Sequence, residues 1–279
     1  MRSSLWRIGA AAILSVGLGA PASALVGGSP TRRGDPLARA TVFITALTPS
    51  GHNRAQVGNC TGVLIAPDLV LTAGHCLADL TGPSLVVAQF FDRSNRIAGT
   101  IQVQGGALHP DFSGRAPADD PRPEMLGADL AILKLAEPAP ANRSPVAIAR
   151  NPLEAAKRSS VLLGAGLHVA ADENTSGQLR VARVAAEVVS DGPTAVALGV
   201  AKGAICRGDS GGPVASSSGL WGVVIAIVRK KNLCNTTVFM AVLDPDSRAF
   251  RTMLSRAAQP EFAPIDDSQA LWTGNHNDG

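Results

Sequence analysis

This sequence is short of charge. Only 17% of its 279 residues are Asp, Glu, Lys or Arg, and five of its 25 basic residues are lysine. Set against 46% hydrophobic residues, this excludes a chain disordered throughout and leaves apolar material for one large domain or two small ones. The net charge of +3 is small and spread along the sequence, which excludes the basic patch that a nucleic-acid partner requires. No apolar run beyond the first 24 residues approaches the ~20 residues of a membrane span. The absence of any Cys-x-x-Cys pair, and of His at ligand spacing, argues against zinc; no EF-hand loop offers a calcium site, which leaves calcium in a loop of another kind open, and no metal and no cofactor are expected. Long amphipathic helices alternating with strands are missing too, which argues against a parallel α/β sheet.

What is present begins at the N-terminus. Arg2 and Arg7 flank the start of an apolar run, Ile8 to Ala20, and Ala22-Ser23-Ala24 supplies a small-x-small cleavage site. This is the three-part pattern of a secretory signal peptide, so residues 1–24 are set aside from the fold. An exported chain, periplasmic or extracellular, meets an oxidising compartment, and no membrane contact is expected once the leader is cut. Its four cysteines, Cys60, Cys76, Cys206 and Cys234, then favour disulfides, with three pairings open on arithmetic alone.

The remaining apolar segments are short and rich in Val, Ile, Leu and Thr. They include Thr41–Leu47, Gly62–Ile65, Leu69–Thr72, Leu85–Phe91, Leu130–Leu135, Ser160–Leu163, Ala195–Val200 and Trp221–Val228. Gly, Pro, Asp and Asn punctuate them, which predicts an all-β barrel or sandwich. Residues 111–127 read as a loop, and the proline-rich stretch 136–153 as a linker between two halves. Asp246–Arg256 reads as a helix capped by Asp246, with Phe250, Met253 and Leu254 on one face. Residues 257–279 are polar and read as a tail.

Three short segments carry chemistry. Gly208-Asp209-Ser210-Gly211-Gly212-Pro213 places a Ser among glycines that let successive backbone N–H groups share one concavity; a plain Gly-rich turn is the alternative. Thr72-Ala73-Gly74-His75-Cys76 places a His at the end of an apolar strand beside a Cys, and an imidazole is the usual base for a Ser hydroxyl. His52, His109, His168 and His276 lack comparable surroundings. Asp129 stands at the entry to Leu130-Ala131-Ile132-Leu133, where burial would require a partner; a solvated turn Asp is the alternative.

Taken together, GDSGGP, TAGHC and ADLAILKL resemble the three signatures of the chymotrypsin/trypsin family, in that family's order of His, then Asp, then Ser. The resemblance spans about residues 25–256, with His109-Pro110 as a further shared feature, and is to a secreted peptidase of the bacterial trypsin-like type. It implies two antiparallel six-stranded β-barrels with a C-terminal helix: residues 25–140 with His75 and Asp129, and residues 141–256 with Ser210. It implies a catalytic triad of His75, Asp129 and Ser210 and an oxyanion hole from the N–H groups of Gly208 and Ser210. It implies disulfides Cys60–Cys76 and Cys206–Cys234, a polypeptide substrate, and a protein inhibitor as the other partner class.

Leu25-Val26-Gly27-Gly28 resembles the family's mature start and directly follows the expected cleavage site. The Leu25 ammonium is therefore expected to pair with Asp209, so that signal peptidase itself makes the active N-terminus. The primary specificity pocket departs from trypsin's. Ala204, followed by Ile205, stands where an acid would hold basic side chains. Ile225-Ala226-Ile227 replaces the usual Ser-Trp-Gly, and Thr237 replaces a frequent Gly. A shallow apolar pocket for small aliphatic residues is expected. The same departures keep open a weakly active or inactive binding protein on this scaffold, and the same triad would serve an esterase.

Overall fold

The computed structural model describes residues 26–259, except 27, 33, 51–53, 79, 81–83, 115–122, 170–171 and 228–233. The expected signal peptide, Leu25 and residues 260–279 of the expected tail lie outside the described residues, as do His52 and His276. After a short strand β1 (Ser29–Pro30) and helix α1 (Pro36–Ala40), six strands build a first barrel. These are β2 (Thr41–Pro49), β3 (Ala55–Ala66), β4 (Leu69–Thr72), β5 (Leu85–Phe91), β6 (Ile97–Leu108) and β7 (Ala131–Leu135). They pair antiparallel in the order β2-β3-β4-β7-β6-β5, and β5 closes on β2. Helix α2 (His75–Ala78) follows β4, and α3 (Pro123–Gly127) precedes β7.

The second barrel follows α4 (Pro152–Ala156). Its strands are β8 (Ser160–Gly164), β9 (Arg180–Ser190), β10 (Val196–Cys206), β11 (Pro213–Ser216), β12 (Gly219–Ile227) and β13 (Cys234–Val242). The order is β8-β9-β10-β13-β12-β11, closed by β11 against β8, with β1 added on β9. All-β architecture of two closed six-stranded antiparallel barrels is thus present, with a last helix α5 (Arg248–Ala257).

Strands β2, β3 and β4 are buried on both faces over much of their length. Val42, Ile44, Val63, Leu64, Val70 and Leu71 are all buried, and successive pairs such as Val63–Leu64 and Val70–Leu71 put one side chain on each face of the sheet. The second barrel has its own core around Trp221, whose indole N–H donates to the Ser160 hydroxyl at 2.9 Å, so its one polar atom is satisfied. The proline-rich linker runs as irregular chain stitched first to one barrel and then to the other. Ala139 N–H and Val146 N–H donate to Pro67 and Leu64, and Ala149 N–H donates to Leu220.

Three expectations need correction. Ser247, not Asp246, caps α5: its hydroxyl accepts from Phe250 N–H at 3.0 Å, while Asp244 organises the preceding turn. The helix also runs through Ala257, which is buried and so does not open a tail, and Leu254 is only half-buried beside Phe250 and Met253. Residues 123–127, within the expected loop 111–127, form α3. Gly127 there has no room for a side chain, because a Cβ would lie 2.0 Å from the Thr194 carbonyl oxygen of the second barrel. That close approach fixes the chain two residues before Asp129. Helix α5 packs chiefly on β6 and β7 of the first barrel, and its Phe250, Met253 and Ala257 join a core cluster with residues from both barrels.

Candidate active site

The segment after β10 turns sharply at Cys206–Gly212. Gly208 has φ +95°, a left-handed conformation that only glycine takes without strain, and a Cβ would lie 2.8 Å from Gly166 Cα. The turn spends the Asp209 N–H on Cys206 O (3.1 Å). The N–H groups of Gly208 and Ser210 have no hydrogen-bond acceptor among the described residues. Two unspent amides thus flank a half-buried Ser210, an arrangement suited to an incoming oxyanion.

His75 opens α2, and the Cys60–Cys76 disulfide, S–S 2.03 Å, ties that helix to β3. The Asp129 carboxylate, 1% exposed, accepts twice from one residue: from His75 N–H at 2.7 Å through Oδ1, and from His75 Nδ1 at 2.7 Å through Oδ2. With Asp129 ionised, Nδ1 carries the proton and Nε2 is left with its lone pair, the form a general base requires. His109 N–H donates to Leu130 O, which fixes the strand entry beside Asp129. His75, Gly208 and Ser210 line one cavity of about 200 Å³ with Ile44, Val57 and Leu80. The Cys60 and Cys76 sulfurs lie near the His75 ring, but as a disulfide they offer no thiolate to a metal.

Sequence reasoning passed over Thr61. It is fully buried on β3 and joins the barrels at the nucleophile turn. Its hydroxyl donates to Gly208 O at 2.8 Å and accepts from Ala165 N–H at 3.1 Å, and its N–H donates to Ser210 O at 2.8 Å. A Thr beside a Cys in an apolar strand looks like any strand former, so only the partners reveal it.

Asp209 is also 1% exposed. It accepts from Cys206 N–H and Gly166 N–H, each at 2.8 Å, and no ammonium or guanidinium pairs with it among the described residues. Burial raises its pKa to about 7, against the lowering effect of those two amides. Leu25 lies outside the described residues, but Val26 O accepts from Ala204 N–H at 2.8 Å, which lays the residue after Leu25 against β10.

The expected specificity residues lie on three adjacent strands, Ala204 and Ile205 on β10, Thr237 on β13 and Ile227 on β12. Cys206 and Cys234 form the second disulfide, and Ala204 packs against it with Leu167. Ile205 is fully buried in the second barrel's core, which Ile227 also joins, and Thr237 is half-buried opposite Val200. None of the four lines the cavity that holds His75 and Ser210. Ile225, at a bulge of β12, is buried, and Asp129 takes both of its side-chain hydrogen bonds from His75.

Residues 26–244 match the Trypsin family. The chain belongs to that family. Vitamin K-dependent protein C of Oryctolagus cuniculus is 26% identical over 264 residues, 86% of this chain and 54% of the relative. The human inactive serine protease PAMR1 is 28% identical over 140 residues, 45% of this chain and 18% of the relative. Scolexin B of Heliothis virescens is 34% identical over 98 residues, 33% of this chain and 34% of the relative. The chain therefore spans about half, or less, of these curated relatives. All three are animal proteins, so they lend nothing to the expectation of a bacterial type. Among solved structures, scabies mite inactivated protease paralogue S-D1 matches with TM-score 0.59 and 15% identity, over 84% of this chain and 99% of that one. Neuropsin, a serine protease expressed in mouse brain, matches with TM-score 0.53 and 20% identity, over 82% of this chain and 96% of that one. At these identities the two structures establish the trypsin-like fold.

Proposed function

We propose that this trypsin-family chain is an exported serine endopeptidase in which Ser210 is the nucleophile, His75 the base and Asp129 its orienting acid. The observation that carries the reading is the double hydrogen bond from His75 to a buried Asp129, which sets the imidazole tautomer. The Ser210 hydroxyl adds to the scissile carbonyl carbon as its proton passes to His75 Nε2, and the new oxyanion takes the amides of Gly208 and Ser210. The imidazolium then protonates the leaving amine as the C–N bond breaks, and water releases the acyl group by the same route. The Leu25 ammonium, freed by removal of residues 1–24, pairs with Asp209 and holds the turn. Ala204 in place of an acid argues for small aliphatic and against basic side chains at the scissile bond.

A second reading is favoured by Ile225 and Ile227 and by the relatives named as inactive: a binding protein on the same scaffold. A fluorophosphonate probe separates them. Covalent labelling that disappears in Ser210→Ala is the expected result; no labelling of the processed protein supports the binder. A peptide library then distinguishes an endopeptidase from an esterase and reads the pocket.

A further inference from the structure

A second cavity, larger than the one that holds Ser210, lies elsewhere on the molecule. It has a volume of about 550 Å³ and shares no lining residue with the Ser210 cavity. Its walls come from the N-terminal segment (Arg32, Arg39), the β5–β6 hairpin (Arg93), the linker (Arg143) and Leu179 of the second barrel. The hairpin meets the second barrel directly, since Leu179 N–H donates to Asn95 O at 3.0 Å, so the cleft straddles the junction of the barrels.

Four arginines from three segments of the chain line this space, and none makes a hydrogen bond or ion pair with a carboxylate among the described residues. The two acids in the wall are already engaged by backbone donors. Asp35 caps α1, accepting from Leu37 and Ala38 N–H, and Asp92 accepts from Ser94 N–H at 2.7 Å and Arg96 N–H at 3.1 Å. Arg143 is half-buried, and its Nε is shut off from solvent with no acceptor. Burial lowers its pKa, Asp92 opposes this, and the neighbouring Arg39 charge lowers it further. Like charges converging on a concave surface, with one donor desolvated and unspent, are stabilised by an anion bound between them.

We propose that this cleft binds a polyanion carrying several tetrahedral oxyanions, of the phosphate or sulfate ester class, through Arg39 and Arg143 with Arg32 and Arg93 at its mouth. The space exceeds what one oxyanion would fill, and planar guanidinium forks match phosphate and sulfate oxygens in pairs. Because the ligand would touch both barrels, it would raise the melting temperature.

Calorimetric titration at about 0.15 M salt, where non-specific attraction is screened, tests this with inorganic tripolyphosphate and with sucrose octasulfate. Saturable one-to-one binding of either is expected, weakened about tenfold in Arg143→Gln and in Arg39→Gln. Arg251→Gln, exposed on α5, should change it less than about twofold. Binding of one probe alone assigns the phosphate or the sulfate source; binding of both assigns the cleft to either. If Arg143→Gln fails to fold, exposed Arg39 and Arg93 carry the test. No saturation at about 1 mM of either probe, or equal losses in Arg251→Gln, overturns the proposal. The titration is run on Ser210→Ala protein, so its outcome is independent of the peptidase reading.

Discussion

Two carboxylates lie equally deep in this molecule, one at the edge of each barrel, and their surroundings treat them differently. Asp129 meets a side chain that can take a positive charge, and it orients that side chain through two hydrogen bonds. Asp209 meets two backbone amides, and its pKa rises to about 7. Equal depth therefore does not mean equal chemistry. A buried acid with a cationisable partner organises its neighbours, and one with amide dipoles alone binds its proton more tightly than an exposed acid does.

The comparison breaks most visibly at Asp129. Asp129→Asn keeps the shape but reverses the tautomer preference of His75, and should lower kcat by about 10⁴-fold with little change in KM. A loss under about tenfold in steady-state kinetics would show that His75 is oriented by something else.

Asp209 sharpens the contrast through pH. Its folded pKa lies above the ordinary 3.8, so the folded state holds the proton more tightly. The associated stability is full below about pH 4 and is lost as pH rises to about 7, on the order of 4 kcal/mol for so deeply buried a group. In unprocessed Ser210→Ala chain, urea unfolding should therefore show this decline, and Asp209→Asn should abolish it. In chain cut before Leu25 the sign reverses: the ammonium pairs with the acid, and Asp209→Asn costs about 3 kcal/mol or more. Activity of the processed protein should then fall at high pH as that ammonium, whose ordinary pKa is about 8, loses its proton. Identical profiles before and after cleavage would remove Leu25 from the pairing.

The smallest effect belongs to the contact that joins the two settings. Thr61→Val keeps the volume of a buried side chain but withdraws its hydroxyl from Gly208 and Ala165. A stability loss of about 1–3 kcal/mol is expected, with kcat lowered, KM little changed, and both restored in Thr61→Ser. A loss of stability alone would make Thr61 structural only.

How much of this was legible follows from where the signal lies. The strands Leu69–Thr72 and Leu85–Phe91 coincide with apolar runs, because both are packed closely from the barrel interior. Ile97–Leu108 and Arg180–Ser190 stand out less: glycines and alternating charged residues interrupt them, as befits long strands with one wetted face. The helix cap slipped by one residue because Asp244, Asp246 and Ser247 are all competent caps, and only the turn decides. The site motifs could be read because a Ser set among clustered glycines and a His beside a Cys are unusual local patterns. Thr61 and the arginine cleft could not, since their partners lie on segments far apart in the chain.

Helix α5 adds a consequence for how the molecule is made. The last described element covers β6 and β7 of the half synthesised first, burying Phe250, Met253 and Ala257 there. The earlier half is therefore left with an oily groove until the ribosome has finished nearly everything else. Cutting the gene at the linker should therefore give two fragments that need each other.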